Sequence, residues 1–149
     1  MHPSPEDLDE PALFHEGLHL FNTNEWFEAH EIWEDIWRPA SGEKKRFYQG
    51  LIQAAVVIEH LRRGNPRGAR SVFQSCIPKF DGITGIYMGI DVPLLIRQLT
   101  DYIAPVLNLP TSAFDPGRER GQNLPVDLNA APKIELKYDP FAGESPAEQ

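Results

Sequence analysis

Apolar residues return every three or four positions through the first two thirds of the chain, the period of helices that bury one face. Leu13, Phe14, Leu18 and Phe21 define a first helix from about Glu10 to Phe21. Asn22-Thr23-Asn24 then breaks the pattern and offers a cap to a second helix, Glu25 to Trp37. In it Trp26, Ala29, Trp33, Ile36 and Trp37 share a face, and Arg38-Pro39 is the stop. So short a link predicts an antiparallel hairpin. A third helix, about Glu43 to Arg63, is apolar nearly all round its middle and therefore belongs at the centre, with Gly64 as its C-terminal cap. Asn65-Pro66 supplies an N-cap and a first-turn proline for a fourth helix through Val72, Phe73, Cys76, Ile77 and Phe80, which Pro78 kinks or shortens. Gly82, Gly85 and Gly89 mark a loop. Asp91 and Pro93 then open a fifth helix carrying Leu95, Leu99, Tyr102, Ile103 and Val106, which ends near Pro105.

After Asn108 the helical period is lost, and six of the fourteen prolines fall between Pro110 and Pro146. Ile134, Leu136 and Tyr138 alternate, predicting a short extended segment laid across the helices. The fold class is all-α: a compact bundle of about five helices with a proline-rich, largely extended C-terminal tail. Residues 1–9 read as a flexible N-terminus, 10–108 as the helical domain and 109–149 as an extended or partly disordered tail.

Composition narrows the function classes. With 149 residues, 41% of them hydrophobic, the chain has material for one core. A net charge of -8 repels a phosphate backbone, so no nucleic-acid partner is expected. Cys76 is the sole cysteine, which excludes an intrachain disulfide and a Cys-rich metal site. The acidic N-terminus lacks the pattern of a signal peptide, and no apolar run approaches the roughly 20 residues of a membrane span. The expected address is the cytoplasm, with no membrane partner. Charge is divided along the chain: residues 1–43 carry eleven acids and one base, residues 44–70 seven bases and one acid. Acidic and basic helices lying side by side explain this division, and so does an anion-binding patch in the middle.

Candidate chemistry concentrates on the second and third helices. His30 and Glu34 lie one turn apart on the border of the tryptophan face, with Glu31 a little further round. On the third helix Gln49, Gln53, Val56 and His60 form one stripe. If the two edges face each other they form a polar seam, read either as a hydrogen-bonded core network or as a divalent-metal site. In the second reading His30, Glu34 and His60 are the ligands, and Glu31 is a candidate catalytic base. The run His30-Glu31-x-x-Glu34 has a glutamate where the zinc-protease pattern has its second histidine, and the two Glu-x-x-His motifs of a di-iron bundle are not both present. His15 and His19, one turn apart, read as half-exposed helix surface. Arg62, Arg67 and Arg70 flank the junction of the third and fourth helices, where free N–H groups suit a phosphate or carboxylate. Gln49, Gln53 and these three arginines are therefore candidate ligand-binding residues.

The run Phe21-Asn22, Phe27-Glu28-Ala29-His30-Glu31, Trp33-Glu34 and Trp37, followed by Gln49-Gly50-Leu51-Ile52-Gln53-Ala54-Ala55, His60, Gly64-Asn65 and Gly68-Ala69, resembles an uncharacterised bacterial and plastid family. It is catalogued as domain-of-unknown-function family three hundred and nine. The resemblance covers about residues 10 to 80 and implies a compact all-helical fold with no established activity. Two functions compete. One is a binding or scaffold module that meets a protein partner or a second copy through partly exposed Trp26, Trp33 and Trp37. The other is a metal-dependent hydrolase acting on a small anionic substrate drawn to Arg62, Arg67 and Arg70.

Overall fold

The computed structural model describes residues 8–116 and 124–142. The expected flexibility of residues 1–7 and the tail's residues 117–123 and 143–149 lie outside that range. Among the described residues there are five α-helices, and the predicted boundaries hold to within a residue or two except at the end of the fourth, which stops four residues short of Phe80: α1 Glu10–Asn22, α2 Trp26–Trp37, α3 Gly42–Arg62, α4 Pro66–Cys76 and α5 Val92–Leu107. The local reasons are those the sequence offers. Asp9, Asn65 and Asp91 accept from backbone N–H groups at the starts of α1, α4 and α5, and each of those helices has proline in its first turn. Pro78 ends α4 at Cys76 and leaves a single 3-10 turn, Ile77–Phe80.

The link between α1 and α2 turns on Asn24, which takes a left-handed φ of 66°. Helix α2 then packs antiparallel against α1, and α3 lies between α2 and α4. The core is continuous through this layer: Phe14, Phe21, Trp26, Trp33, Phe47, Tyr48, Leu51 and Ile58 are all essentially inaccessible. No helix among the described residues is long and apolar enough to cross a membrane.

Two features depart from the expected pattern. The glycine loop after α4 contains an antiparallel hairpin, β1 Ile86–Tyr87 and β2 Ile90–Asp91. Met88 and Gly89 both have positive φ, as a two-residue hairpin turn of matching twist demands. The strands are too short for alternation to register in the sequence. The tail, for its part, is tied down where it is described. Asn22 Nδ2 donates to the Ile134 carbonyl and Asn22 Oδ1 accepts from the Ile134 N–H, each at 2.8 Å. The Lys137 N–H donates to the Gly89 carbonyl at 2.7 Å, and Tyr102 Oη donates to the Asp127 carbonyl at 2.9 Å. Phe141 is buried edge-on against Phe14, with ring centroids 5.6 Å apart. Ile134 is buried, Leu136 half-buried and Tyr138 exposed, so the three alternating residues do not share one buried face as expected.

Candidate functional site

The second helix presents its border residues as the 3.6-residue period requires, but with a different outcome for each. His30 is half-buried; its Nδ1 meets the Phe27 carbonyl and its Nε2 lies 3.4 Å from Glu34 Oε1. Glu34 is shared, since Arg38 donates to its Oε2 at 3.1 Å and also to Asp35 Oδ1 at 2.8 Å. Glu31 is exposed on the outer face with Glu28. Phe27 beside them is 39% exposed. The His30 ring stands edge-on to it at 4.9 Å, and the Arg63 guanidinium caps it at 5.3 Å.

Two residues of the polar stripe of α3, Gln53 and His60, turn toward α4. Gln53 Nε2 donates to Ser75 Oγ at 3.1 Å, leaving Oε1 buried with no hydrogen-bond partner. His60 is built into the start of α4. Asn65 Oδ1 accepts from the Gly68 N–H, which orients the Asn65 amide so that its Nδ2 donates to His60 Nδ1 at 3.1 Å. The fit is close: a Cβ on Gly68 would lie 2.8 Å from the His60 ring. Gln49 is half-buried on the same stripe.

The expected seam is therefore two separate networks. His30 and Glu34 pair within α2, and Gln53 and His60 tie α3 to α4. The triad His30, Glu34 and His60 is not assembled, and no group of three or more His, Cys, Asp or Glu among the described residues could hold a metal ion. The physical reason is that α3 has two helical neighbours: spacing fixes which residues share a stripe, while only packing decides which neighbour covers it. His15 on α1 meets the tail, with Nε2 3.2 Å from Asp139 Oδ1. The N–H of Phe141, aided by His15, holds the Asp139 carboxyl below its ordinary range.

The arginine patch is corrected in the same way. Arg62 is engaged by Glu59, donating from Nε to Oε1 at 2.8 Å and from Nη2 to Oε2 at 2.7 Å, and Arg63 adds a bond to Oε2 at 2.6 Å. Burial opposes ionisation of Glu59, but the hydrogen bonds and charges of the two arginines outweigh it and hold the carboxyl below its ordinary value. Arg70 stacks over Phe114 at 3.9 Å. Arg67 is exposed. The three candidate arginines thus do not converge on one ligand position. Glu59 was missed as an organising residue, although its spacing of three and four to Arg62 and Arg63 was readable. The tryptophans are also corrected: Trp26 and Trp33 are core, and Trp37 is half-buried beneath Lys45 Nζ at 4.8 Å. The exposed aromatic of this helix is Phe27.

Residues 14–72 match the model of a family described as a domain of unknown function, DUF309. An uncharacterised protein of Aquifex aeolicus (strain VF5) is 30% identical over 99 residues, covering 66% of this chain and 28% of the relative. The uncharacterised protein YpuF of Bacillus subtilis (strain 168) is 41% identical over 56 residues, covering 37% of this chain and 32% of the relative. The chain thus spans less than a third of the length of either relative.

Proposed function

We propose that the protein, whose residues 14–72 match the DUF309 model, is a small binding module whose contact surface is centred on Phe27 and whose first partner is a second copy of itself. The observation that carries this reading is Phe27, an aromatic ring left 39% exposed and bracketed by charges of both signs. Glu28 and Glu31 lie on its own helix, and Arg62 and Arg63 at the end of α3. Glu28 and Arg62 already attract one another within the chain, so acid and base lie side by side here, and a patch of mixed sign can complement itself under a two-fold rotation. The two Phe27 rings then approach the axis, where burying an aromatic excludes water, and Glu28 and Glu31 of each copy face Arg62 and Arg63 of the other. Aromatic and arginine side chains are the usual energetic centres of such contacts. The divided polar networks support binding over hydrolysis, because neither gathers a nucleophile, a base and an electrophile at one point.

Sedimentation velocity of the full chain tests this. A dimer is expected at about 1–100 µM, the weak end for specific interfaces. Phe27→Glu should weaken it at least about thirtyfold, the equivalent of ~2 kcal/mol at an interface centre. A chain that stays monomeric across that range, or a dimer indifferent to Phe27→Glu, refutes the reading.

A further inference from the structure

The charged residues that bracket Phe27 are not equivalent. Arg62 is engaged within the chain: it makes two hydrogen bonds to Glu59, and Glu28 attracts it further. Arg63 is held by one atom only. Its Nε donates to Glu59 Oε2 at 2.6 Å, and its two Nη groups make no hydrogen bond among the described residues. The Arg63 side chain is 53% exposed. Glu31 has the complementary lack. It stands exposed one helical turn beyond Phe27 and makes no hydrogen bond or ion pair among the described residues.

Glu59 gives Arg63 its fixed position. The Glu59 side chain is only 9% exposed, and the guanidinium anchored to it lies 5.3 Å from the centre of the Phe27 ring. An anchor at Nε leaves the outer edge of the guanidinium, Nη1 and Nη2, open to a carboxylate, which can accept from both. Glu31 does not fill that position in its own chain, because the two residues make no ion pair there. A second copy related by a two-fold axis can supply it, and a pair formed once in such a contact is formed twice, on both sides of the axis.

We propose that Glu31 of each copy is the ligand of Arg63 of the other, with Glu59 as the positioning residue that presents Arg63. This rests on the two-fold contact at Phe27 and assigns what makes that contact selective. Burying Phe27 is favourable against any apolar surface, whereas the crossed charges admit only a partner with a carboxylate one helical turn beyond its aromatic ring. This chain meets that condition itself. A partner with a base at the Glu31 position would set like charges together twice.

The test is sedimentation velocity of full chains carrying charge reversals. Glu31→Arg sets two bases against each other across the axis, and Arg63→Glu sets two acids, so each variant alone should dimerise at least about tenfold more weakly than wild type. Mixed in equal amounts, with one variant fluorescently labelled, they should associate at concentrations where each alone is monomeric, because opposite charges then meet at both crossed positions. The role of Glu59 is read as a coupling. Glu31→Gln should weaken the dimer about tenfold in the wild-type chain and less than about threefold in a chain already carrying Glu59→Gln, a difference that lost helix stability alone does not produce. If Arg63→Glu loses its helical circular dichroism, Arg63→Gln and Glu31→Gln replace the reversals. Their double variant should then dimerise no more weakly than either single one, and independent losses overturn the pairing. A wild-type dimer that depends on Phe27, with reversals that do not associate on mixing, overturns the crossed pair and leaves the Phe27 surface standing. A wild-type chain that stays monomeric overturns both.

Discussion

Replacing Gly17 by alanine probes the closest contact between α1 and α2. Gly17 is buried in the middle of α1, facing the Trp33 indole, which is wholly inaccessible and donates from Nε1 to the Phe14 carbonyl at 3.3 Å. A methyl at Gly17 would fall 2.5 Å from Trp33 Cε2 and closer still to Nε1, well inside contact distance. A fused ring system held on all sides cannot yield by rotating a flexible end. Two costs follow. Overpacking costs about 1–3 kcal/mol, and an indole N–H pulled from its buried acceptor about 1–3 kcal/mol more. Against them, alanine favours the helix over glycine by about 1 kcal/mol. The net loss is about 1–5 kcal/mol; at ~3 kcal/mol a chain of this size loses about 6–12 °C in Tm. Urea unfolding followed by circular dichroism and tryptophan fluorescence measures it. Trp33→Phe, by giving the methyl room, should recover part of the loss in the double variant and give a coupling above about 0.5 kcal/mol. A Gly17→Ala chain as stable as wild type, or stabilised as helix propensity alone requires, would show that the two helices do not approach as described.

Two further predictions concern buried groups. Glu59→Gln removes the charge that Arg62 and Arg63 share and should cost about 1–2 kcal/mol at neutral pH, as lost charge-assisted hydrogen bonds do. The folded carboxyl lies below its ordinary 4.5, so its stabilisation is full above that value and disappears as pH falls through the folded one. The gap in urea midpoint between wild type and variant should therefore close as pH is lowered below 4.5, and a constant gap would show that charge is not responsible. Burial pushes the Cys76 thiol up to about 12, and its Sγ lies 3.3 Å from the Gly50 carbonyl. Under native conditions near pH 8 a thiol reagent should modify it only as fast as the chain opens; rapid stoichiometric modification of the folded protein would contradict its placement.

How far the sequence could be read depended on the range of the interaction. The starts of α4 and α5 were legible because Asn65 and Asp91 act on N–H groups three residues ahead, and Asp9 does the same for α1. The Glu59 cluster was equally local and could have been read. The hairpin around Met88 and Gly89 could not, since two strands of two residues carry no period. The partners of the polar stripe were out of reach for another reason. Gln53 and His60 repeat correctly on α3, but Ser75 lies on α4 and Asn65 is its N-cap, and sequence spacing assigns no preference between one neighbouring helix and the other.

The sequence by itself determined the five helices, the caps Asn65 and Asp91 and the central place of α3, because each rests on hydrogen bonds and periodicities confined to a few residues; the cap expected for α2 from Asn22-Thr23-Asn24 does not form, since Glu25 stands at that position without a side-chain bond. Only the tertiary structure decided that Trp26 and Trp33 are core while Phe27 is exposed. It alone showed that His30 and His60 serve different networks and that Asn22 holds Ile134 across 112 positions. Those outcomes depend on which surfaces meet, and a helix's own period fixes the shape of its faces without naming their partners.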